Sequence, residues 1–197
     1  MLQKIVMQGF KQWIQWSLVM TLTVSLAACT WLGAQTTQPP APHIGKSTLK
    51  PVTLESKKIL TGQTIYVPVY SYIYHYDTQN QVINLATTLS IRNTDLKHPI
   101  IITKIDYYDT SGQQIKNLLK NPSELTSMAS ADYFLPRNEV SGGLGANFLV
   151  EWVSEHSVFD PIVEAVMIST ESGRGLSFVS PGKVLKQIGA QTARKGD

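Results

Sequence analysis

A single cysteine, Cys29, is all the thiol chemistry that the 197 residues contain. Disulfide frameworks need pairs of cysteines, and sulfur-based zinc sites need several, so both are excluded by count. Charge is equally sparse, with 17 basic and 14 acidic side chains making up 16% of the chain. Lys4 and Lys11 fall in the N-terminal 28 residues, and without them 15 basic groups face 14 acidic ones. No Lys/Arg cluster remains to neutralise several phosphates, so nucleic acid is not an expected partner. The four histidines, His43, His75, His98 and His156, show no i, i+4 metal spacing, and neither metal nor cofactor is expected. Helical periodicity long enough for α/β crossovers is missing as well. Apolar residues still reach 43%, enough for a folded core.

The N-terminus carries an address. Met1 to Lys11 holds two lysines and no acid, and the apolar run from Trp13 to Ala28 follows. A span across the ~30 Å hydrocarbon core needs about 20 apolar residues, so this run has the size of a signal-peptide h-region. It ends in Leu26-Ala27-Ala28-Cys29, which resembles the lipobox of bacterial lipoproteins. That resemblance implies cleavage between Ala28 and Cys29 and acylation of Cys29, with residues 1–28 as signal peptide. One acyl chain anchors marginally and two anchor stably, so a triacylated cysteine would fix the chain to a membrane outside the cytoplasm, on its periplasmic or outer-membrane face. An uncleaved single-span anchor is the competing reading.

Residues 29–49 include Pro39, Pro40 and Pro42 in a polar setting and read as an extended tether. Residues 50–184 read as strand after strand, and residues 185–197 as a disordered tail. Ile83, Leu85, Thr87, Leu89 and Ile91 alternate with polar or small residues over one strand period. Ile100–Tyr108, Ala131–Leu135 (stopped by Pro136), Ala146–Val153, Ile162–Ser169 and Gly175–Ser180 add further strands. Ser123–Met128 and Val184–Ile188 are weak helix candidates. The fold expected is all-β, a single antiparallel β-sandwich of immunoglobulin-like type, with a barrel as alternative.

Three features invite chemistry. In Ile65–Tyr76, tyrosine occupies positions 66, 70, 72, 74 and 76. On a strand these share one face, so Tyr70, Tyr72 and Tyr74 form a candidate surface for stacking on sugar rings or a partner protein. The competing reading is cross-strand packing, with Pro68 confining the segment to an edge or bulge. The Gly142–Gly145 loop leads into a strand rather than a helix and lacks a following lysine-serine pair, so a turn explains it better than a phosphate cradle. Glu151 and Glu164 would make a general acid and base only if the fold paired them. Asp106 and Asp109 flank Tyr107 and Tyr108 beside a turn, and solvation and turn capping are expected to account for both. No catalytic residue is assigned.

Tyr66-Val67-Pro68-Val69-Tyr70-Ser71, Leu89–Thr94, Tyr107-Tyr108-Asp109, Gly145–Trp152 and Glu164–Ile168 together resemble an uncharacterised family of bacterial envelope lipoproteins, domain of unknown function 3124. The resemblance supports export and implies no catalytic residue, cofactor or ligand. The function expected is a membrane-anchored, non-enzymatic binding or assembly module, whose partners are the membrane and an envelope protein or glycan. An envelope hydrolase using the two glutamates, or a purely structural lipoprotein, are the alternatives.

Overall fold

The computed structural model describes residues 49–55, 57–170 and 175–189. The expected signal peptide, Cys29 with most of the tether, and residues 190–197 lie outside the described residues. The regular elements described are strands. They begin with β1 (Lys50–Pro51), β2 (Thr61–Pro68), β3 (Tyr72–His75), β4 (Thr78–Asn84) and β5 (Ala86–Arg92). There follow β6 (Ile100–Tyr108), β7 (Gln114–Asn117), β8 (Ser123–Leu125) and β9 (Ser130–Leu135). The last are β10 (Asn147–Ser154), β11 (Ile162–Ser169), β12 (Leu176–Pro181) and β13 (Lys183–Ile188).

One sheet runs β1-β8-β6-β10-β2-β13, with β7 also on β6; the other runs β12-β11-β5-β9. All the pairings among the described strands are antiparallel, and β3 and β4 form a hairpin of their own. The protein is thus all-β, an antiparallel sandwich.

Alternation in the sequence decides which side chains meet between the sheets. Phe148, Val150 and Trp152 of β10 are buried, as are Leu89 and Ile91 of β5 and Val163, Ala165 and Met167 of β11. Strand β6 breaks the period, since Ile100, Ile102, Ile105 and Tyr107 are all buried although 102 and 105 differ by an odd number. A bulge resolves this: Glu151 pairs with Lys104 while Trp152 pairs with Ile102, leaving Thr103 as the extra residue. One inserted residue shifts the alternation by one, which returns Ile102 to the core face. Trp152 brings a polar atom inside, and its indole N–H donates to Gln63 Oε1 at 3.2 Å.

Both weak helix candidates are strands. Ser123–Leu125 forms β8, with Leu125 fully buried. Val184–Ile188 lies within β13, antiparallel to β2, so the ordered body extends past Val184 into the segment read as tail. The apolar residues Val184, Leu185 and Ile188 mimic a helical spacing, but a segment so short cannot repay helix nucleation, whereas β2 offers ready backbone partners. Gly182 makes the step from β12 to β13. A methyl group there would lie 2.6 Å from both Ile65 Cγ2 and the Val163 carbonyl, so only glycine lets the chain cross between sheets.

A tyrosine hairpin on a buried socket

The tyrosine-rich run does not lie on one strand. Strand β2 ends at Pro68, the chain turns through Val69-Tyr70-Ser71, and Tyr72 opens the hairpin. Pro68 is not at a sheet edge in the expected sense, because β2 lies between β10 and β13. Val69 N–H donates to Ala146 O at 2.9 Å, so by alternation the Pro68 nitrogen faces the other side. There β13 pairs no further than Lys183 with Tyr66, and no donor is needed.

The five tyrosines consequently separate. Tyr66 stands on the outer face of the larger sheet, between Leu149 and Lys183. Tyr70 meets Phe178 of β12 edge-on, with ring centroids 5.9 Å apart. Tyr72 and Tyr74 pair with Asn84 and Val82 on one hairpin face, while Ile73 and Ile83 pair on the other and pack against the core. The isoleucine face locks the hairpin to the sandwich and turns the tyrosine face outward. Tyr74 is 47% exposed, Val82 opposite it 43%, and Tyr76 at the tip 77%. Tyr76 was not singled out from the sequence. It takes φ +56°, a left-handed conformation unusual for a bulky residue, and its ring lies 3.8 Å from that of His75.

The hairpin stands on a socket made by the glycine loop. Ser71 N–H donates to Gly143 O, and Leu85 N–H donates to Ser71 O, both at 2.9 Å. The Ser71 hydroxyl shares a buried 2.9 Å hydrogen bond with the Tyr107 hydroxyl. Burial pushes the Tyr107 phenol up from its ordinary range, so it stays protonated and keeps this bond. Gly142 is where Tyr107 fits: a methyl carbon there would fall on the hydroxyl, and 2.6 Å from Cζ. Gly143 takes φ +75°, which glycine adopts freely. Thr110 fastens the loop from outside, donating to Gly142 O and accepting from Gly145 N–H, each at 2.9 Å. Glu139 at the loop's entry is held by the Lys116 ammonium and the Ser141 hydroxyl. Those hydrogen bonds, Lys116 first, draw its carboxyl below the usual range. The glycine loop is therefore a turn and socket, not a phosphate cradle.

The remaining candidates do not converge. Glu151 lies on the outer face of the seven-stranded sheet, in register with Lys104 and Thr64. Glu164 lies on the outer face of the four-stranded sheet, 3.7 Å from Arg92 Nη2. With packed sheets about 10 Å apart and both carboxylates pointing away from the core, the two cannot share one bond in a substrate. Asp109 caps its turn, accepting from Ser111 N–H at 2.8 Å and Gln113 N–H at 2.9 Å. Asp106 differs from expectation: its residue is fully buried, and its carboxylate accepts from Lys104 Nζ and Asn117 Nδ2 at 2.8 Å each. Neighbouring side chains on the sheet's outer face cover it, a burial that alternation alone does not reveal.

His98 and His156 stack at 4.2 Å, but among the described residues no group of three or more His, Cys, Asp or Glu is placed to hold a metal ion. The nearby polar node is structural. Asn93 Nδ2 is directed at three carbonyls, those of His98, Leu125 and Thr126. Asp95 accepts from Lys97, His98 and Phe159 N–H groups. A shallow hollow of about 540 Å3 between residues 51–55 and Asn121–Pro122 has Glu55 as its one charged side chain.

The fold and site define an all-β sandwich protein bearing an exposed aromatic hairpin on a hydrogen-bonded base. The chain belongs to the family described as Protein of unknown function (DUF3124), which it matches over residues 62–185. That stretch runs from β2 into β13 and includes the whole hairpin and socket. No curated protein and no solved structure matches the chain.

Proposed function

We propose that the chain is an envelope lipoprotein, anchored through an acylated Cys29, whose sandwich presents the β3–β4 hairpin as a non-enzymatic binding face. The carrying observation is the asymmetry of that hairpin. Its isoleucine face and its base are locked into the body, while Tyr72 and Tyr74 lie on the opposite face and Tyr76 stands exposed in the turn at the tip. Exposed tyrosine supplies wide, rigid contact area and a polar tip at small conformational cost, which suits recognition. The signal-peptide pattern and Leu26-Ala27-Ala28-Cys29 support the address. The polar, proline-rich composition of residues 29–49 supports a tether between that anchor and the sandwich.

Two measurements test this reading. Mass spectrometry of the cell-derived protein is expected to show an acylated Cys29 as the first residue; residues 1–28 still attached, or a free thiol, would refute the anchor. A photo-crosslinking residue at position 74 is expected to capture an envelope component that the same residue at Lys120, exposed elsewhere, does not. Equal capture at both positions removes the hairpin from the proposal.

A further inference from the structure

We infer that the hairpin face recognises an uncharged glycan chain, an inference that rests on the binding-face reading and names its ligand class. From Thr61 to Ile91 the only formally charged side chain is Asp77, accompanied by one histidine, His75. With no lysine or arginine, this stretch has no cation with which to recognise phosphate, uronate or an acidic peptide. What it offers instead is aromatic area edged with amides: Tyr74 and Tyr76 are exposed beside Val82, and Gln79, Asn80 and Gln81 surround the tip. Tyrosine rings stack on the apolar faces of sugar rings, and amides and phenol hydroxyls exchange hydrogen bonds with sugar hydroxyls.

The tip conformation adds an independent reason. Tyr76 occupies a left-handed φ of +56° in the two-residue turn between His75 and Thr78, where glycine or asparagine would sit without strain. A bulky ring held at such a position, 77% exposed, is a ring placed outward at a cost to the turn.

Shape and charge argue against the other macromolecules. The ribbon is two strands, about 10 Å, wide and the four residues of β3 extend about 14 Å, a face of roughly 140 Å2 against the ~800 Å2 that one side of a stable protein interface covers. A short sugar chain that stacks on the exposed Tyr74 ring and reaches the Tyr76 ring at the tip needs no more than this. An anionic bilayer would find no lysine or arginine on the hairpin and would meet Asp77 at its tip.

The experiment uses the full chain in detergent, titrated with chitohexaose, cellohexaose, maltohexaose and xylohexaose, followed by calorimetry. Binding of at least one hexasaccharide is expected. Tyr74→Ser and Tyr76→Ser should each weaken it by about tenfold, while Tyr74→Phe stays within about threefold. Tyr76→Gly should lose binding without any fall in melting temperature, which separates recognition from folding. Tyr66→Ser, on the sheet's outer face, should bind normally.

Failure to bind any of the four overturns the glycan inference, as does binding confined to polygalacturonate or to vesicles of phosphatidylglycerol. Equal loss in Tyr66→Ser overturns it as well. If no hexasaccharide binds yet the residue at position 74 still crosslinks selectively to an envelope protein, the glycan inference alone falls. If that crosslink is absent too, the binding-face reading falls with it.

Discussion

Gly142→Ala should be among the most damaging single-methyl changes available to this chain. The added carbon would lie 2.6 Å from Tyr107 Cζ and 2.7 Å from Ala146 Cβ, and would displace the Tyr107 hydroxyl outright. The ring has little room to yield: Tyr107 is 1% exposed and packs on Phe148, with ring centroids 5.2 Å apart. Its hydroxyl is also tied to Ser71 at the hairpin base. Overpacking a core costs roughly 1–3 kcal/mol, and losing the Ser71 hydrogen bond adds about 1 kcal/mol. The reduced freedom of alanine in the unfolded chain returns about 0.5 kcal/mol. The net expectation is about 1.5–3.5 kcal/mol. At roughly 3–4 °C per kcal/mol for a domain of this size, thermal denaturation should show a fall of about 5–14 °C. Tyr107→Phe removes the displaced oxygen, so in a double-mutant cycle the pair should lose less than the sum of the single changes, by about 1 kcal/mol. A melting point for Gly142→Ala within 1–2 °C of the parent, or strict additivity with Tyr107→Phe, would refute the socket argument.

Other expectations follow from the same structure. Burial alone would raise the Asp95 carboxyl, but N–H donors from Lys97, His98 and Phe159 outweigh it and hold the group below its ordinary value. A lowered folded value contributes stability above the unfolded pKa of about 3.9 and loses it as pH falls through the folded one. Asp95→Asn should therefore cost about 1–2 kcal/mol at pH 7. Urea titrations at pH 7 and pH 3 should show that difference shrinking in acid, and a constant gap would sink the assignment. Trp152→Phe leaves the buried Gln63 amide without its indole partner and should cost about 1–3 kcal/mol by chemical denaturation. Tyr76→Gly relieves a left-handed tyrosine and should raise stability by roughly 1 kcal/mol, whereas a drop would mean that the ring's contact with His75 dominates the turn.

Much of the sandwich was readable from alternation, because a period of two assigns faces without any distant information. Phe148, Val150 and Trp152 needed nothing more, nor did the stop at Pro136 after β9. The segment around Val184 misled, since its apolar spacing suits a short helix and only the presence of β2 alongside makes it a strand. The tyrosine run misled differently. Its alternation continues through Tyr76, yet the chain leaves the sheet after Pro68, so one predicted face became three separate places. Ser71 and Tyr107 gave no sign of their partnership, because their hydrogen bond joins positions 36 residues apart.

What the residues determine alone is local: one cysteine, an apolar run ending in Leu26-Ala27-Ala28-Cys29, strand periods, and glycines where turns demand them. Which carboxylates meet, which tyrosines face out and what fills the space above Gly142 are settled by strands distant in the chain. Glu151 and Glu164 fall on opposite sides of the core because their strands belong to different sheets, and sheet membership is a property of pairing, not of sequence spacing. The hairpin's outward face is likewise decided by Ile73 and Ile83 finding the core, a contact that exists only once the sandwich has formed.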